Sequence, residues 1–205
     1  MIHARNYSSA VLSVLFLLLY CVSSAPAQWK PAGAKLMTRW GKTVSPAKVH
    51  QEYPRPQMVR PDWVNLNGLW DYAIRPVAAE NPKQADGKIL VPFPVESALS
   101  GVGRMVGKEK RVWYRRAFEV PEAWKGRRVL LHFGAVDWEA AVWVNGKPAG
   151  NHRGGYDPFT FDVTGLLTPG GDSQQLEVSV WDPSDKGPQP RGKQVSKPGG
   201  SGIPR

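Results

Sequence analysis

The 205-residue chain carries 27 Lys and Arg residues against 17 Asp and Glu residues, a formal net charge of +10 at pH 7. Its length predicts one main domain and excludes a barrel of eight β/α units, which needs roughly 250 residues. With 41% apolar residues and nine Trp, the chain can bury a core and is not of the disordered class. The 21 Gly and 19 Pro favour turns over long helices. The single Cys, Cys21, excludes an internal disulfide framework.

The first 27 residues have the pattern of an export signal. An apolar run from Ala10 to Val22 is shorter than the roughly 20 residues that a membrane-spanning helix needs. Small residues at Ala25 and Ala27 favour cleavage before Gln28. We therefore expect residues 1–27 to be a signal peptide and the mature protein to be exported, to the periplasm or the medium, with no membrane attachment. An uncleaved N-terminal anchor is the alternative.

The positive charge does not indicate a nucleic-acid-binding protein. Basic residues occur as scattered pairs such as Arg115-Arg116 and Arg127-Arg128, and no single block or helix gathers them. The three His residues beyond the signal have no grouped carboxylates or other metal-ligand spacing. Gly154-Gly155 is not followed by the Lys and Ser or Thr of a phosphate-binding loop. The sequence predicts no metal, no cofactor and no nucleic-acid partner.

The middle of the chain alternates apolar and polar residues with the period of β-strands. Residues 28–61 contain five Pro and are expected to form an extended leader that drapes over a domain of residues 62–205. The clearest predicted strands are Arg111–Val120, Arg128–Phe133, Trp138–Asn145 and Gln175–Trp181, preceded by weaker ones near 67–74 and 88–91. Several short strands without a long amphipathic helix indicate an all-β, antiparallel sandwich.

Turns and short helical segments complete the prediction. Asn145-Gly146 indicates a type I′ hairpin, so that a further strand begins near Lys147. Single helical turns are expected at Pro121–Trp124 and Val163–Leu167. Asp157 and Asp162, which flank residues 158–161, are interpreted as loop and turn residues, with Asp162 capping the second helical turn.

The C-terminal region does not supply an obvious last strand. After Val180-Trp181 the sequence becomes rich in Pro and Gly, and no apolar run follows. A sandwich without its closing strand exposes an edge and an apolar face, which favours aggregation or pairing with another segment. We therefore expect a sandwich that is incomplete at the C-terminus and marginally soluble.

Four sequence segments, in this order, resemble one known family. They are Asn67-Gly68-Leu69-Trp70, Val112-Trp113-Tyr114-Arg115-Arg116, Val142-Trp143-Val144-Asn145-Gly146 and Gly154-Gly155-Tyr156-Asp157-Pro158-Phe159-Thr160-Phe161-Asp162-Val163-Thr164. The series, within about residues 63–203, resembles the N-terminal sugar-binding domain of glycoside hydrolase family 2, which includes β-galactosidases, β-glucuronidases and β-mannosidases. The closing residues Ser201–Arg205 depart from the family pattern, because Pro204 would interrupt the expected aromatic-rich strand.

The resemblance implies a jelly-roll β-sandwich of the galactose-binding-domain-like kind. In the family an immunoglobulin-like domain and a catalytic barrel follow, and the barrel supplies the two Glu residues of retaining hydrolysis. The resemblance thus implies that this chain has no catalytic residue of its own and is either a fragment of a longer enzyme or the product of a truncated reading frame. The partners it implies are a carbohydrate and those two further domains.

The same resemblance implies that the loop after the last predicted strand contributes to sugar binding. Carboxylates, amides and guanidinium groups recognise sugar hydroxyls, and Lys adds a point charge. The candidate substrate-binding residues of this loop are Asp182, Asp185, Arg191, Lys193 and Gln194. Glu96 is a further candidate, because it follows the end of the predicted strand near 88–91. Ordinary turn residues in a solvated loop are the alternative for each of them, and Glu96 alternatively caps a helical turn.

Two other functions remain open from the sequence. A free-standing carbohydrate-binding module needs exposed aromatic platforms, and the nine Trp residues could provide them. Trp113, Trp143 and Trp181 fall on strands, however, where packing is the usual role. The second alternative is a structural or partner-binding β-sandwich without a sugar site.

Overall fold

A computed structural model describes residues 29–33, 37–52, 60–169, 173–188, 194–195 and 203–204. The predicted signal peptide lies outside these residues. The described residues form ten strands: β1 (Gly68–Pro76), β2 (Gly87–Val91), β3 (Lys110–Phe118), β4 (Leu130–Phe133), β5 (Glu139–Val144), β6 (Lys147–Arg153), β7 (Phe159–Asp162), β8 (Gln174–Trp181), β9 (Gln194–Val195) and β10 (Ile203–Pro204). The helical segments of the described residues are 3-10 turns of three residues each. None of the helices in this part of the chain could cross a membrane.

Two antiparallel sheets form the body of the domain. The larger sheet has six strands in the order β2-β1-β3-β8-β5-β6, and the smaller sheet pairs β4 with β7. The short β9 and β10 form a separate parallel pair. The structure confirms the predicted all-β sandwich.

The core lies between the two sheets. Alternate residues of the larger sheet point to this side, because the side chains of a strand alternate between its faces. The fully buried members include Ile89, Val142, Val144 and Leu176, each at most 1% exposed. From the smaller sheet, Leu131 packs into the same cluster, with Phe133 and Phe161 partly buried against it. Among the described residues, two strands cover the inner face of the six-stranded sheet.

The predicted local turns are confirmed. Asn145 and Gly146 have φ angles of 51° and 73°, as a type I′ hairpin requires, and β6 begins at Lys147. The helical turns occur at Glu122–Trp124 and Thr164–Leu166.

One loop prediction is wrong, because Phe159–Asp162 is strand β7. It pairs with β4 from Leu130↔Asp162 to Phe133↔Phe159. The segment is only four residues long and follows Pro158, so alternation could not reveal it. Its pairing with β4 arises from contacts far apart in the chain.

The leader packs onto the domain where it is described. The Ala32 N–H donates to the Ala98 carbonyl at 2.8 Å, and Val49 is only 1% exposed. The Asn65 side chain donates to the His50 carbonyl at 2.8 Å. The described residues 29–33 and 37–52 therefore pack against the domain, and the division into leader and domain stays a prediction.

The outer face of the larger sheet combines stacked Trp residues with ion pairs. Trp113 is buried and stacks on Trp143, with ring centroids 5.6 Å apart. The Trp181 indole N–H donates to the Lys108 carbonyl at 2.8 Å. Arg115 donates to Glu177 across β3 and β8 at 2.8 Å. These contacts favour packing over sugar platforms as the role of these Trp residues.

Asp162 bonds to the first residue of the helical turn that follows β7. Its carboxylate accepts hydrogen bonds from the Thr164 hydroxyl at 2.6 Å and the Thr164 N–H at 3.0 Å, and it pairs with Arg128. The Thr164 contacts, followed by the Arg128 contact, lower the pKa of Asp162 to about 2. Val163 occupies the N-cap position of the turn, so the predicted capping role of Asp162 is met only in its bonds to Thr164.

These contacts of Asp162 are expected to weaken in acid. Because its pKa in the folded chain is below its ordinary value, its contribution to stability is present above about pH 4 and lost as the pH falls toward about 2. Urea midpoints of the wild type and Asp162→Asn should therefore differ at about pH 6 and converge near pH 2. A constant difference across this range would contradict the assignment.

Candidate functional site

A cleft of about 1310 Å³ opens between β4 and the inner face of the larger sheet. It is present because the smaller sheet is too narrow to cover β1 and β3. The side chains of the core line its floor and walls: Trp70, Val112, Tyr114, Phe118, Val120, Trp124, Val129, Leu131, Phe133, Leu176, Val178 and Val180. Several of these, including Tyr114, Phe118 and Phe133, are only partly buried. The cleft therefore exposes part of the hydrophobic core.

Glu96 is one of the polar residues on the cleft wall. It follows β2 in a turn that the buried Val95 anchors. The Arg104 N–H closes this turn by donating to the Val95 carbonyl at 3.2 Å. Ser97, and not Glu96, is the N-cap of the next 3-10 turn, since its hydroxyl accepts from the Ser100 N–H. The alternative role of Glu96 as a cap is therefore wrong.

The Glu96 carboxylate acts electrostatically on Tyr114, another residue of the cleft lining. The pKa of Tyr114 is raised, mainly because its phenol is buried and secondly because of the negative charge of Glu96. Tyr114 alternates with Val112 along β3, so its place in the sequence indicates only an apolar face of the strand. No feature of the sequence reveals that its neighbour is a carboxylate.

Asp182 also lines the cleft, just after β8 ends. Its carboxylate accepts from the Ser184 N–H at 2.6 Å, which holds the side chain in a tight turn. Val178, four residues earlier, pairs with Tyr114. At about 3.4 Å per residue, Asp182 is roughly 13 Å along the sheet from Tyr114. Glu96 and Asp182 thus share one cleft but occupy different parts of it.

The other predicted substrate-binding residues have no described side chains. Asp185 lies in the 3-10 turn Ser184–Lys186, and Gln194 is in β9, but only their backbone is described. Arg191 and Lys193 lie outside the described residues. Their roles stay predictions.

Two His residues stack on aromatic rings of the domain. The His132 ring stacks on Trp63 at 5.3 Å, and its Nδ1 lies 2.7 Å from the Thr160 hydroxyl. Burial, followed by the charge of Arg60, lowers the pKa of His132. The ring of His152 stacks on Phe159 at 4.1 Å. No group of three potential metal ligands of the His, Cys, Asp or Glu type occurs in the described part of the chain.

Residues 88–187 match the model of one protein family, described as "Glycosyl hydrolases family 2, sugar binding domain". The chain is 41% identical over 83 residues to a β-galactosidase of Thermoanaerobacter pseudethanolicus, covering 40% of this chain and 11% of that protein. It is 32% identical over 137 residues to the β-glucuronidase of Felis catus, covering 58% of this chain and 20% of that protein. The chain therefore spans about a fifth or less of these curated relatives.

Among solved structures, the chain is also similar to β-glucuronidases. The Faecalibacterium prausnitzii β-glucuronidase has 34% sequence identity and a TM-score of 0.47, with 58% of this chain and 20% of that chain covered. The β-glucuronidase of an uncultured Clostridium has 29% identity and a TM-score of 0.45, with 57% of this chain and 21% of that chain covered. The family match, which contains both Glu96 and Asp182, confirms the resemblance seen in the sequence. Over residues 88–187, just under half of its length, the chain is similar to the sugar-binding domain of glycoside hydrolase family 2.

Proposed function

We propose that the 205 residues are the exported N-terminal part of a longer family 2 enzyme that hydrolyses β-linked glycosides. The family match over residues 88–187 carries this proposal. The export pattern of residues 1–27 supports delivery to the periplasm or the medium. The catalytic acid/base and nucleophile would lie in a barrel domain, after an immunoglobulin-like domain, and this chain would be non-catalytic alone.

Within that enzyme, we propose that the loop after β8 and the turn after β2 face the substrate. Asp182 and Glu96 are the described carboxylates of these two segments, and both border the cleft. A carboxylate accepts hydrogen bonds from sugar hydroxyls, so each would fix the orientation of a sugar ring. The role of these residues would be binding, since the chemistry would belong to the barrel.

The activity proposal can be tested with the purified 205-residue chain. We expect no hydrolysis of 4-nitrophenyl β-D-glucuronide or 4-nitrophenyl β-D-galactoside, measured as release of 4-nitrophenolate. Sequencing the gene beyond codon 205 should reveal an open frame, and the protein it encodes should cleave one of these substrates. Turnover by the 205-residue chain alone would contradict the proposal.

The binding role is tested in the longer protein with matched variants. Asp182→Asn and Glu96→Gln should raise KM several-fold with a smaller effect on kcat, because loss of a binding contact weakens substrate and transition state together. Glu80→Gln, which changes an exposed carboxylate remote from the lining of the cleft, is the control. Unchanged KM values in both cleft variants would exclude these contacts.

A further inference from the structure

Glu96 lies in a turn that is built around one buried hydroxyl group. Ser100 is 0% exposed, and its hydroxyl donates to the Ser97 carbonyl at 2.7 Å and lies 3.2 Å from the Val95 carbonyl. The same oxygen accepts from the Val102 N–H at 3.0 Å. Val95 and Ser97 are the two neighbours of Glu96 in the chain. The backbone on both sides of Glu96 is therefore bonded to Ser100.

The first described residues of the chain, 29–33, pack on this turn and are called the strap. The Ala32 N–H donates to the Ala98 carbonyl at 2.8 Å. The Trp29 ring approaches Gly101 so closely that a Cβ at Gly101 would lie 2.7 Å from the indole nitrogen. That nitrogen is buried and has no hydrogen-bond partner among the described residues, so packing holds the ring. The strap thus contacts the turn at two points, through a hydrogen bond and through an aromatic ring.

The turn depends on such contacts because it contains little regular structure. As the structure describes it, its regular part is the 3-10 turn Ala98–Ser100, which has three residues. Segments with few packed contacts open locally at a low free energy. The strap adds contacts from a distant part of the sequence, and a Cβ at Gly103 would lie only 2.8 Å from the Cβ of Ala32. The strap therefore stabilises the turn that carries Glu96.

We propose that the strap positions Glu96 for substrate binding, with Trp29 as the residue that clamps the turn. The inference rests on the proposed function, in which the Glu96 carboxylate orients a sugar ring. A hydrogen bond weakens steeply when its distance or angle departs from the favoured range, so an acceptor selects one orientation only where it is itself held in place. Trp29 acts through the turn and not on the sugar, which makes it a positioning residue.

Kinetics of the longer enzyme test this role. Trp29→Ala should raise KM several-fold with a smaller effect on kcat, as Glu96→Gln does, because both changes weaken the same binding contact. The double variant should be no worse than Glu96→Gln alone, since the strap acts through that carboxylate. Trp29→Phe keeps an aromatic ring on Gly101 and should restore KM to near the wild-type value. Trp40→Ala, which removes a 67% exposed Trp of the same leader, is the control and should leave KM unchanged.

Amide hydrogen exchange of the 205-residue chain, measured by NMR, gives a readout that needs no activity. The N–H groups of Gly101 and Arg104 donate to carbonyls within the turn, at 3.1 Å and 3.2 Å. Both should exchange several-fold faster in Trp29→Ala than in the wild type, because the turn opens more often. The Asn145 N–H, which donates to a carbonyl of β8 at 2.8 Å, should keep its wild-type rate. It controls for a loss of stability of the whole domain.

The outcomes separate this inference from the proposals on which it rests. A wild-type KM in Trp29→Ala beside a raised KM in Glu96→Gln would overturn the inference alone, as would unchanged exchange at Gly101 and Arg104. Fully additive effects of the two substitutions would also overturn it, because the strap would then act elsewhere. A wild-type KM in Glu96→Gln would overturn the binding role of Glu96 as well. An inactive longer protein would contradict the glycosidase proposal, and the exchange rates would still decide whether Trp29 clamps the turn.

Discussion

Replacement of Asn145 by Ala should lower the free energy of unfolding by about 3 kcal/mol, measured by urea denaturation. Asn145 is the first turn residue of the β5–β6 hairpin. Its amide donates to the Leu166 carbonyl at 3.0 Å and to Gln174 Oε1 at 2.6 Å. Its side-chain oxygen accepts from the Gln175 N–H at 2.8 Å. The substitution removes these bonds and leaves a residue with a Cβ strained at a φ of 51°.

A Gly variant separates the two effects. Asn145→Gly removes the same three hydrogen bonds but accepts the positive φ, so it should be about 1 kcal/mol more stable than Asn145→Ala. Asn145→Asp keeps the acceptor for Gln175 and the tolerance of positive φ, and loses the donor to Gln174. This loss matters because Gln174 is buried, with only 3% of its surface exposed. Equal stability of the Ala and Gly variants would show that turn strain is not a factor.

The Asn145 network also shows which parts of the structure the sequence could predict. The Asn-Gly pair between alternating strands indicated the hairpin, since turn geometry depends on local residues. The partners of the Asn145 side chain could not be predicted, because Leu166 and Gln174 come from a separate part of the chain. The same limit applies to β7, whose four residues form a strand only because β4 lies beside them.

The candidate site was predictable only in part. Asp182 was proposed from a family resemblance and Glu96 from its position after a predicted strand, and the structure brings both to one cleft. Their common environment depends on how the loops close over the larger sheet, and no local pattern encodes it. The exposed apolar face was expected from the lack of an apolar run after β8. Its place beside β4 follows from the sheet order, which is a property of the whole fold.

Introduction of a single methyl group at Gly150 should destabilise the domain by about 3–5 kcal/mol. Gly150 lies in β6 with a φ of 154°, a conformation that other residues rarely adopt. A Cβ at this position would collide with the Phe161 ring, meeting Cε1 and lying 2.8 Å from Cδ1. Phe161 packs against the core cluster and contacts Phe159, so its ring cannot move without disturbing β7. Gly150→Ala should therefore lower the urea midpoint markedly.

Two companion variants identify the cause. Gly126→Ala places a methyl group at a φ of 75° with nothing within 4 Å, so it should cost only the strain of a positive φ, about 1–2 kcal/mol. Phe161→Leu combined with Gly150→Ala should recover part of the lost stability, since the smaller side chain makes room for the methyl group. If Gly150→Ala were no worse than Gly126→Ala, close packing of β6 against β7 would be refuted. The smaller sheet would then be held to β6 less tightly than the Gly150–Phe161 contact implies, and the cleft beside β4 could widen by movement of the whole sheet.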